Sequence, residues 1–364
     1  MKAVEVELAP FALPMAATVQ TARERHRRRE GWLIRITSAD GRIGFGESTP
    51  LPSHGTETLP ACAAVLRRVI PLLRGLTFDS VPALAAWLDE ALGAGHPAAR
   101  HGLELALLDL LGQERGLPIA RLLGPAVHAR VPVSALLVTE DVDALALEAQ
   151  RRAGEGFSTL KLKVGAGTLA QDLARIRAVG RAAGTGVALR LAANGGWSLD
   201  AARTALATIC AERPIELCEQ PVATLEELRA LRPAPCSIAA DEVLARPADA
   251  DAVIALRAAD VLVLKPMVLG GLTRALHLAQ RADREGLEVI VTTTLDGALA
   301  RAGALHLAAA CPRLPRACGL ATGFLFERDL APEPISCVDG GASGPAEPGL
   351  GVNPGRGWPW EACP

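Results

Sequence analysis

The chain has 364 residues, half of them hydrophobic, and a formal net charge of −2. That length exceeds one ordinary core, so a large barrel with an appendage, or two to three domains, is expected. The near-neutral charge gives no electrostatic reason to expect nucleic acid or an anionic membrane, and no run of about 18 apolar residues is present to span a bilayer. The eight cysteines contain no Cys-x-x-Cys pair. Several, such as Cys218 and Cys236, sit in apolar runs and read as reduced thiols of a cytoplasmic protein, not as zinc ligands or a disulfide frame. Met1 to Ala17 carries acids and prolines where a signal peptide needs a basic cap and an apolar core.

Residues 1 to about 125 are expected to form one α+β block. Val4 to Leu8 and Trp32 to Ser38 alternate as antiparallel strands, and Asp40-Gly41 supplies a hairpin turn into Gly44-Phe45-Gly46-Glu47. Thr21 to Arg29 is basic, with little apolar content. A solvated loop is the default reading; a mobile loop that closes over an anionic substrate, through Arg28 among others, is the functional one. From about residue 56 the pattern turns helical and ends in Arg100 to Gly112, with Gly116-Leu117-Pro118 as the stop.

From about residue 130, short apolar runs alternate with amphipathic segments every 25 to 30 residues or so, the mark of repeated βα units. The predicted strands are Val131–Leu137, Phe157–Val164, Val187–Ala193, Ile215–Glu219, Ser237–Asp241, Val261–Lys265 and Val289–Thr293. Seven such units favour a (β/α) barrel over an open doubly wound sheet. Thr224 with Glu227 three residues on is a capping box for one intervening helix. The Gly- and Pro-rich stretch from Pro332 to Pro364 loses the rhythm and is expected to wrap back over the first block. The expected division is thus 1–125, 126–322 and 323–364.

The second predicted strand carries the first chemical signal. Leu160, Leu162 and Val164 face one way, and Lys161 and Lys163 the other. On a parallel strand buried on both sides, desolvation and mutual repulsion favour a neutral amine. A lysine held so is a general base for a proton on carbon. A solvated edge strand is the alternative for a bare Lys-x-Lys. Other predicted strand ends shift the balance: Glu219 at the fourth, Asp241-Glu242 at the fifth and Lys265 at the sixth. In a βα barrel these ends converge on one mouth. Singly, Glu219 and Asp241 would be helix caps; flanked by lysines, they suit a divalent hard cation. Gly270-Gly271 is a barrel loop by default, with amides able to hold a substrate carboxylate. Val164 to Ala170 imitates a dinucleotide-binding turn but lacks the clean apolar strand and the acid about 20 residues on. His101 and His306 read as packed or surface residues, and Trp358 and Trp360 as packing on the first block.

Taken together, Gly44 to Pro50, Glu104 to Asp109, Lys161-Leu162-Lys163, Leu217 to Pro221, Ala240-Asp241-Glu242 and Lys265-Pro266 resemble the enolase superfamily, muconate-lactonising subgroup, over nearly the whole chain. The resemblance implies a modified (β/α)7β TIM-type barrel with an α+β N-terminal capping domain completed by the C-terminal segment. It also implies Mg²⁺ (or Mn²⁺) held by acids on the third, fourth and fifth strands, here Glu219 and Asp241 for the last two. Within the subgroup, Val261 to Gly271 and Thr292 to Gly297 are similar to o-succinylbenzoate synthases. That similarity implies syn dehydration of a succinyl-hydroxycyclohexadiene carboxylate in menaquinone biosynthesis. Dipeptide epimerase, N-acylamino acid racemase, muconate cycloisomerase and a non-catalytic binding relative are the alternatives.

By position, the resemblance assigns removal of the α-proton and protonation of the leaving hydroxide to Lys163. Lys161 keeps that amine neutral, and Lys265 lies as a cation against the opposite face of the ring. Gly270, Gly271, Thr293 and Arg28 are expected to meet a small-molecule carboxylate substrate, and a homo-oligomer is compatible. One position departs. The third strand should end Asp-Ala-Asn but reads Ala192-Ala193-Asn194, and alanine offers a metal no oxygen. Asn194, two residues on and on the same strand face, is expected to lend its amide oxygen, or a water to fill the gap at a weaker site. An engineered knock-out, or a natural relative with impaired or altered chemistry, are the other readings.

Overall fold

The computed structural model describes residues 1–20, 25–93, 95–125 and 127–363, with backbone alone at 19, 20 and 247. Residues 21–24 of the basic stretch, residue 126 at the expected start of the barrel and residue 364 lie outside the described residues. The alternating N-terminal runs form an antiparallel sheet of β1 (Ala3–Gln20), β2 (Arg25–Ser38) and β3 (Ile43–Ser48), with Leu8 opposite Ile34 and Trp32 opposite Ser48. Arg25 to Arg29 therefore belong to a strand, not to a loop. Helices α1 (Leu59–Leu73), α2 (Val81–Leu92), α3 (Pro97–Arg115) and α4 (Ile119–Leu123) follow. Thr58 and Ser80 cap the first two through their hydroxyls, and Gly116 ends α3 at φ 64°. Helix α3 is buried from Pro97 through Gly112 and lies directly on β3. The approach requires glycine: a Cβ at Gly46 would stand 2.0 Å from the Gly102 carbonyl oxygen, and one at Gly44 2.3 Å from that of Ala106.

Beyond the cap, the order is β4 (Arg130–Pro132), β5 (Ala135–Leu137), α5 (Val142–Gly154), β6 (Thr159–Lys163), α6 (Leu169–Ala183), β7 (Ala188–Ala192), α7 (Leu199–Glu212) and β8 (Leu217–Glu219). Then come α8 (Leu225–Ala230), β9 (Ser237–Ala240), α9 (Pro247–Ala255), β10 (Val261–Leu264), α10 (Pro266–Leu269), α11 (Leu272–Arg284), β11 (Glu288–Val291) and α12 (Ala298–Ala310). Strands β5 to β11 make one parallel sheet of seven, each beside its sequence neighbour. The curl closes through Cys318-Gly319. The Cys318 amide donates to the Pro132 carbonyl (2.7 Å), the Ser134 amide to the Cys318 carbonyl (2.9 Å) and the Gly319 amide to the Val291 carbonyl (2.9 Å). A short eighth stave thus joins the first and last strands, as the modified TIM barrel requires.

One expected strand splits. Val131–Leu137 is β4, which pairs antiparallel with β13 (Gly341–Ser343), followed by β5 in the barrel. Pro132, lacking an N–H, sits at the break. Strand β12 (Cys337–Val338) pairs with β13, and β14 (Glu361–Ala362) returns to β1 with Ala362 opposite Glu7. Beside it, Trp360 packs 6.2 Å from Phe45, with the Arg35 guanidinium 4.5 Å above its ring. Among the described residues no helix is long and apolar enough to cross a membrane.

Strand alternation sets the floor of the site. Leu217, Ala239, Val261, Val263 and Ile290 form a separate buried cluster. Leu217 shares its face with Glu219, Ala239 with Asp241, and Val261 and Val263 with Lys265. The barrel lumen is therefore packed with hydrocarbon beneath a ring of charged groups.

Candidate active site

Lys163, Ala192 and Glu219 lie in register across β6, β7 and β8, and Asp241 and Lys265 directly follow β9 and β10. With Lys161, they line one cavity of about 90 Å³, together with His54, Ser134, Asn194 and Thr292 to Leu295. An outer chamber of about 720 Å³ shares Lys163 and Asn194 and reaches the β1–β2 hairpin, where Arg25 lines it, as does Arg175 of α6.

Within the inner cavity the acids are paired. Lys161 Nζ donates to both Glu219 carboxylate oxygens, at 2.6 and 2.7 Å, and Lys265 Nζ donates to Asp241 Oδ2 at 2.7 Å. Gln220, fully buried at φ 41°, orients Asp241: its Oε1 accepts from the Asp241 amide (2.9 Å), and its Nε2 donates to the Val222 carbonyl (2.8 Å). Burial raises the Asp241 carboxyl, against the pull of Lys265. The Lys163 amine is lowered from 10.5 to about 8, first by burial, then by the Lys161 and Lys265 charges. Burial would lower Lys265 too, but Asp241, Glu242 and Glu219 together outweigh it and hold that ammonium above the usual lysine range. One amine near its neutral form thus faces the same space as an ammonium that stays charged.

The other expected site residues divide. Thr293 lines the cavity, its hydroxyl 3.1 Å from that of Thr322. Asn194 also lines it, at φ 49° in a turn that asparagine tolerates, and turns its Nδ2 toward Glu242 Oε1 at 2.9 Å. Gly270 and Gly271 do not line the cavity. They pack on the cap, where the Arg100 guanidinium donates to the Gly270 carbonyl (2.5 Å) and a Cβ at Gly271 would meet Glu104 Oε2 at 2.1 Å. Glu104 accepts from the Leu272 amide and the Thr273 hydroxyl, capping α11, so a substrate carboxylate there would have to displace it. Arg28 also misses the cavity; its side chain, 66% exposed, pairs with Glu30 at 3.2 Å.

Its neighbour Arg29 turns inward. Arg29 is buried and donates to the carbonyls of Thr49 (2.8 Å) and Leu295 (3.1 Å), tying the cap to a residue of the cavity wall. The shared strand parity of Arg29, Gly31 and Leu33 was the available signal. His54, on the cap turn Pro52–His54, carries no motif that marks it in the sequence. Burial first, then Lys265 and Arg29, push its imidazole down to about 2, so it enters the cavity uncharged.

Residues 3–124 match the family model of the mandelate racemase / muconate lactonizing enzyme N-terminal domain, and residues 144–357 match that of the enolase C-terminal domain-like family. The L-Lys-D/L-Arg epimerase of Methylococcus capsulatus is 32% identical over 97% of this chain and 99% of its own. The o-succinylbenzoate synthase of Mycobacterium ulcerans is 44% identical, over 51% of this chain and 55% of its own. The dipeptide epimerase from Cytophaga hutchinsonii, solved with Mg and the dipeptide D-Ala-L-Val, superposes with a TM-score of 0.90 at 26% identity, covering all of both chains.

A magnesium ion does not fit the groups present here. Ala192 presents a methyl in the register row between Lys163 and Glu219. Both Glu219 oxygens and Asp241 Oδ2 are engaged by ammonium groups, and Asn194 aims its amide nitrogen at Glu242. Among the described residues no three acid, histidine or cysteine side chains converge as a metal-binding group.

Proposed function

The chain belongs to the enolase superfamily, in its mandelate racemase and muconate-lactonising branch, and from that premise we propose that it is an o-succinylbenzoate synthase-like lyase. The observation that carries this reading is the Lys163 amine, lowered to about 8 inside a cavity that also holds a permanently charged Lys265. Neutral Lys163 takes the proton on the carbon α to the substrate carboxylate, and the electron pair moves into that carboxylate as an enediolate. The pair then returns to expel hydroxide from the adjacent carbon. Lys163, now an ammonium on the same face, gives its proton to the hydroxide, so water leaves and the ring becomes aromatic. The Lys265 ammonium lies beside the developing negative charge. A place in menaquinone biosynthesis follows from that substrate.

The similarity to o-succinylbenzoate synthases supports this, as does the lining. The two cavity acids are already paired with lysines, which leaves the α-ammonium of a dipeptide no carboxylate to meet there. One observation favours a second reading, dipeptide epimerisation: the likeness to the Methylococcus epimerase spans both chains almost completely. Loss of ring absorbance with the succinyl-hydroxycyclohexadiene carboxylate tests the first reading, and a Lys163→Ala variant is expected to reduce it by about 10³-fold. Solvent deuterium entering dipeptides, with the cyclohexadiene left unconverted, would establish the second instead.

A further inference from the structure

Ala192 alters the charge of the cavity as well as its ligand count. Three lysines, Lys161, Lys163 and Lys265, line it against two carboxylates, Glu219 and Asp241, and the pairs Lys161–Glu219 and Lys265–Asp241 balance one another when Lys163 is the neutral base. An aspartate at 192, in register between Lys163 and Glu219, would add an acid with no ammonium group left to pair it, and a cation would then be needed beside a carboxylate ligand. With alanine, no lining acid is left unpaired, and a ligand carboxylate can meet the N–H donors that the Lys161 and Lys265 ammonium groups do not spend on Glu219 and Asp241. Adding a divalent cation would instead place two uncompensated charges in the lining and require lysine–acid pairs of 2.6 to 2.7 Å to break. We propose that this pocket takes its carboxylate ligand without a divalent cation, the Lys161 and Lys265 ammonium groups doing the electrostatic work that magnesium does in solved relatives. The inference deepens the lyase reading above by naming what meets the substrate carboxylate, and it concerns binding alone.

The wider site agrees with it. Asn194 spends its amide nitrogen on Glu242, so toward that acid it acts as a donor. Burial first, and then the Lys265 and Arg29 charges, hold His54 neutral in the cavity lining.

Calorimetric titration of the whole chain tests the proposal, using MgCl2 alone, benzoate and 2-succinylbenzoate, the latter two in excess EDTA and in excess Mg²⁺. The wild-type chain is expected to bind Mg²⁺ no more tightly than about 1 mM. It should bind the carboxylates equally in both buffers, within about twofold. Ala192→Asp should bind Mg²⁺ at least about 100-fold more tightly and lose carboxylate binding in EDTA. Ala192→Asn, which adds similar volume without charge, should keep metal-free binding; if it behaves as Ala192→Asp does, the charge argument is wrong. A wild-type chain that binds neither carboxylate unless Mg²⁺ is present overturns the proposal, and that comparison decides even if Ala192→Asp fails to fold. Benzoate binding in EDTA without 2-succinylbenzoate binding would leave this inference standing and remove the o-succinylbenzoate reading.

Discussion

Replacing Lys161 by methionine isolates the part of the Lys163 shift that its neighbouring charge causes, apart from burial. Residues two apart on one strand face stand about 6.6 Å apart. At an effective dielectric constant of about 20, two like charges at that distance repel by about 2.5 kcal/mol. That is about 1.8 pKa units, and about 1.5 once the side chains splay apart. Starting from about 8, Lys163 should therefore titrate about 1.5 units higher in Lys161→Met. The base must be neutral to act, so the rate rises with pH through its pKa. At pH 7.5 the neutral fraction falls from about a quarter to about one per cent, a loss of about 20-fold that disappears well above the new midpoint. The assay is the pH profile of kcat/KM for α-proton removal, expected to turn near pH 8 in the wild type and about 1.5 units higher in the variant. Glu219 loses its bidentate partner, at a stability cost of about 3 kcal/mol, so folding is checked by melting. A variant midpoint that stays near the wild-type one would refute the claim that the neighbouring ammonium helps hold Lys163 down.

Two further tests address the scaffold. Gly46→Ala places its Cβ 2.0 Å from a carbonyl oxygen of α3, and backbone cannot yield as a side chain does. We expect a loss of about 3 kcal/mol or more in urea unfolding, against little change for Gly124→Ala, where an added Cβ meets nothing within 4 Å. Glu47 is buried and accepts from the Gly297 (2.6 Å) and Ala300 (2.9 Å) amides at the start of α12, yet burial, then Asp296, raises its carboxyl from 4.5 to about 7. The folded state therefore holds a proton that the unfolded chain has released, and stability should fall as pH rises from about 4.5 to 7 and then level off. Glu47→Gln should flatten that decline, by at most about 3 kcal/mol; an unchanged slope of Tm against pH would show that other groups cause it.

The strand ends were legible because period-two alternation and barrel geometry are strict. Once Leu160 and Leu162 are buried, Lys161 and Lys163 have only the lumen to face, and the same parity places Glu219, Asp241 and Lys265 above their hydrocarbon floor. Positions set by packing between distant segments are not encoded locally. Gly270-Gly271 looked like an anion-binding loop, but Glu104, well over a hundred residues earlier, already fills it. Arg28 and Arg29 are indistinguishable as charges; only the pairing of β2 with β1 sends one to solvent and the other to the Leu295 carbonyl. His54 reaches the barrel mouth from the cap by a docking that local sequence does not encode. The split at Pro132 belongs to the same class, since β4 is recruited by β13 from the far end of the chain.

The base and the missing carboxylate are separable. Everything that lowers Lys163 resides in this chain: burial, Lys161 and Lys265, none of which requires a third acid at position 192. Losing an acid there removes a negative charge beside Lys163 in the strand register, and so favours the neutral amine further. What the loss removes is the negative charge that would hold a divalent cation. On the proposed reaction, alanine at 192 would preserve proton transfer while shifting stabilisation of the enediolate onto ammonium groups, which would act only as long as Glu219 and Asp241 keep them in place.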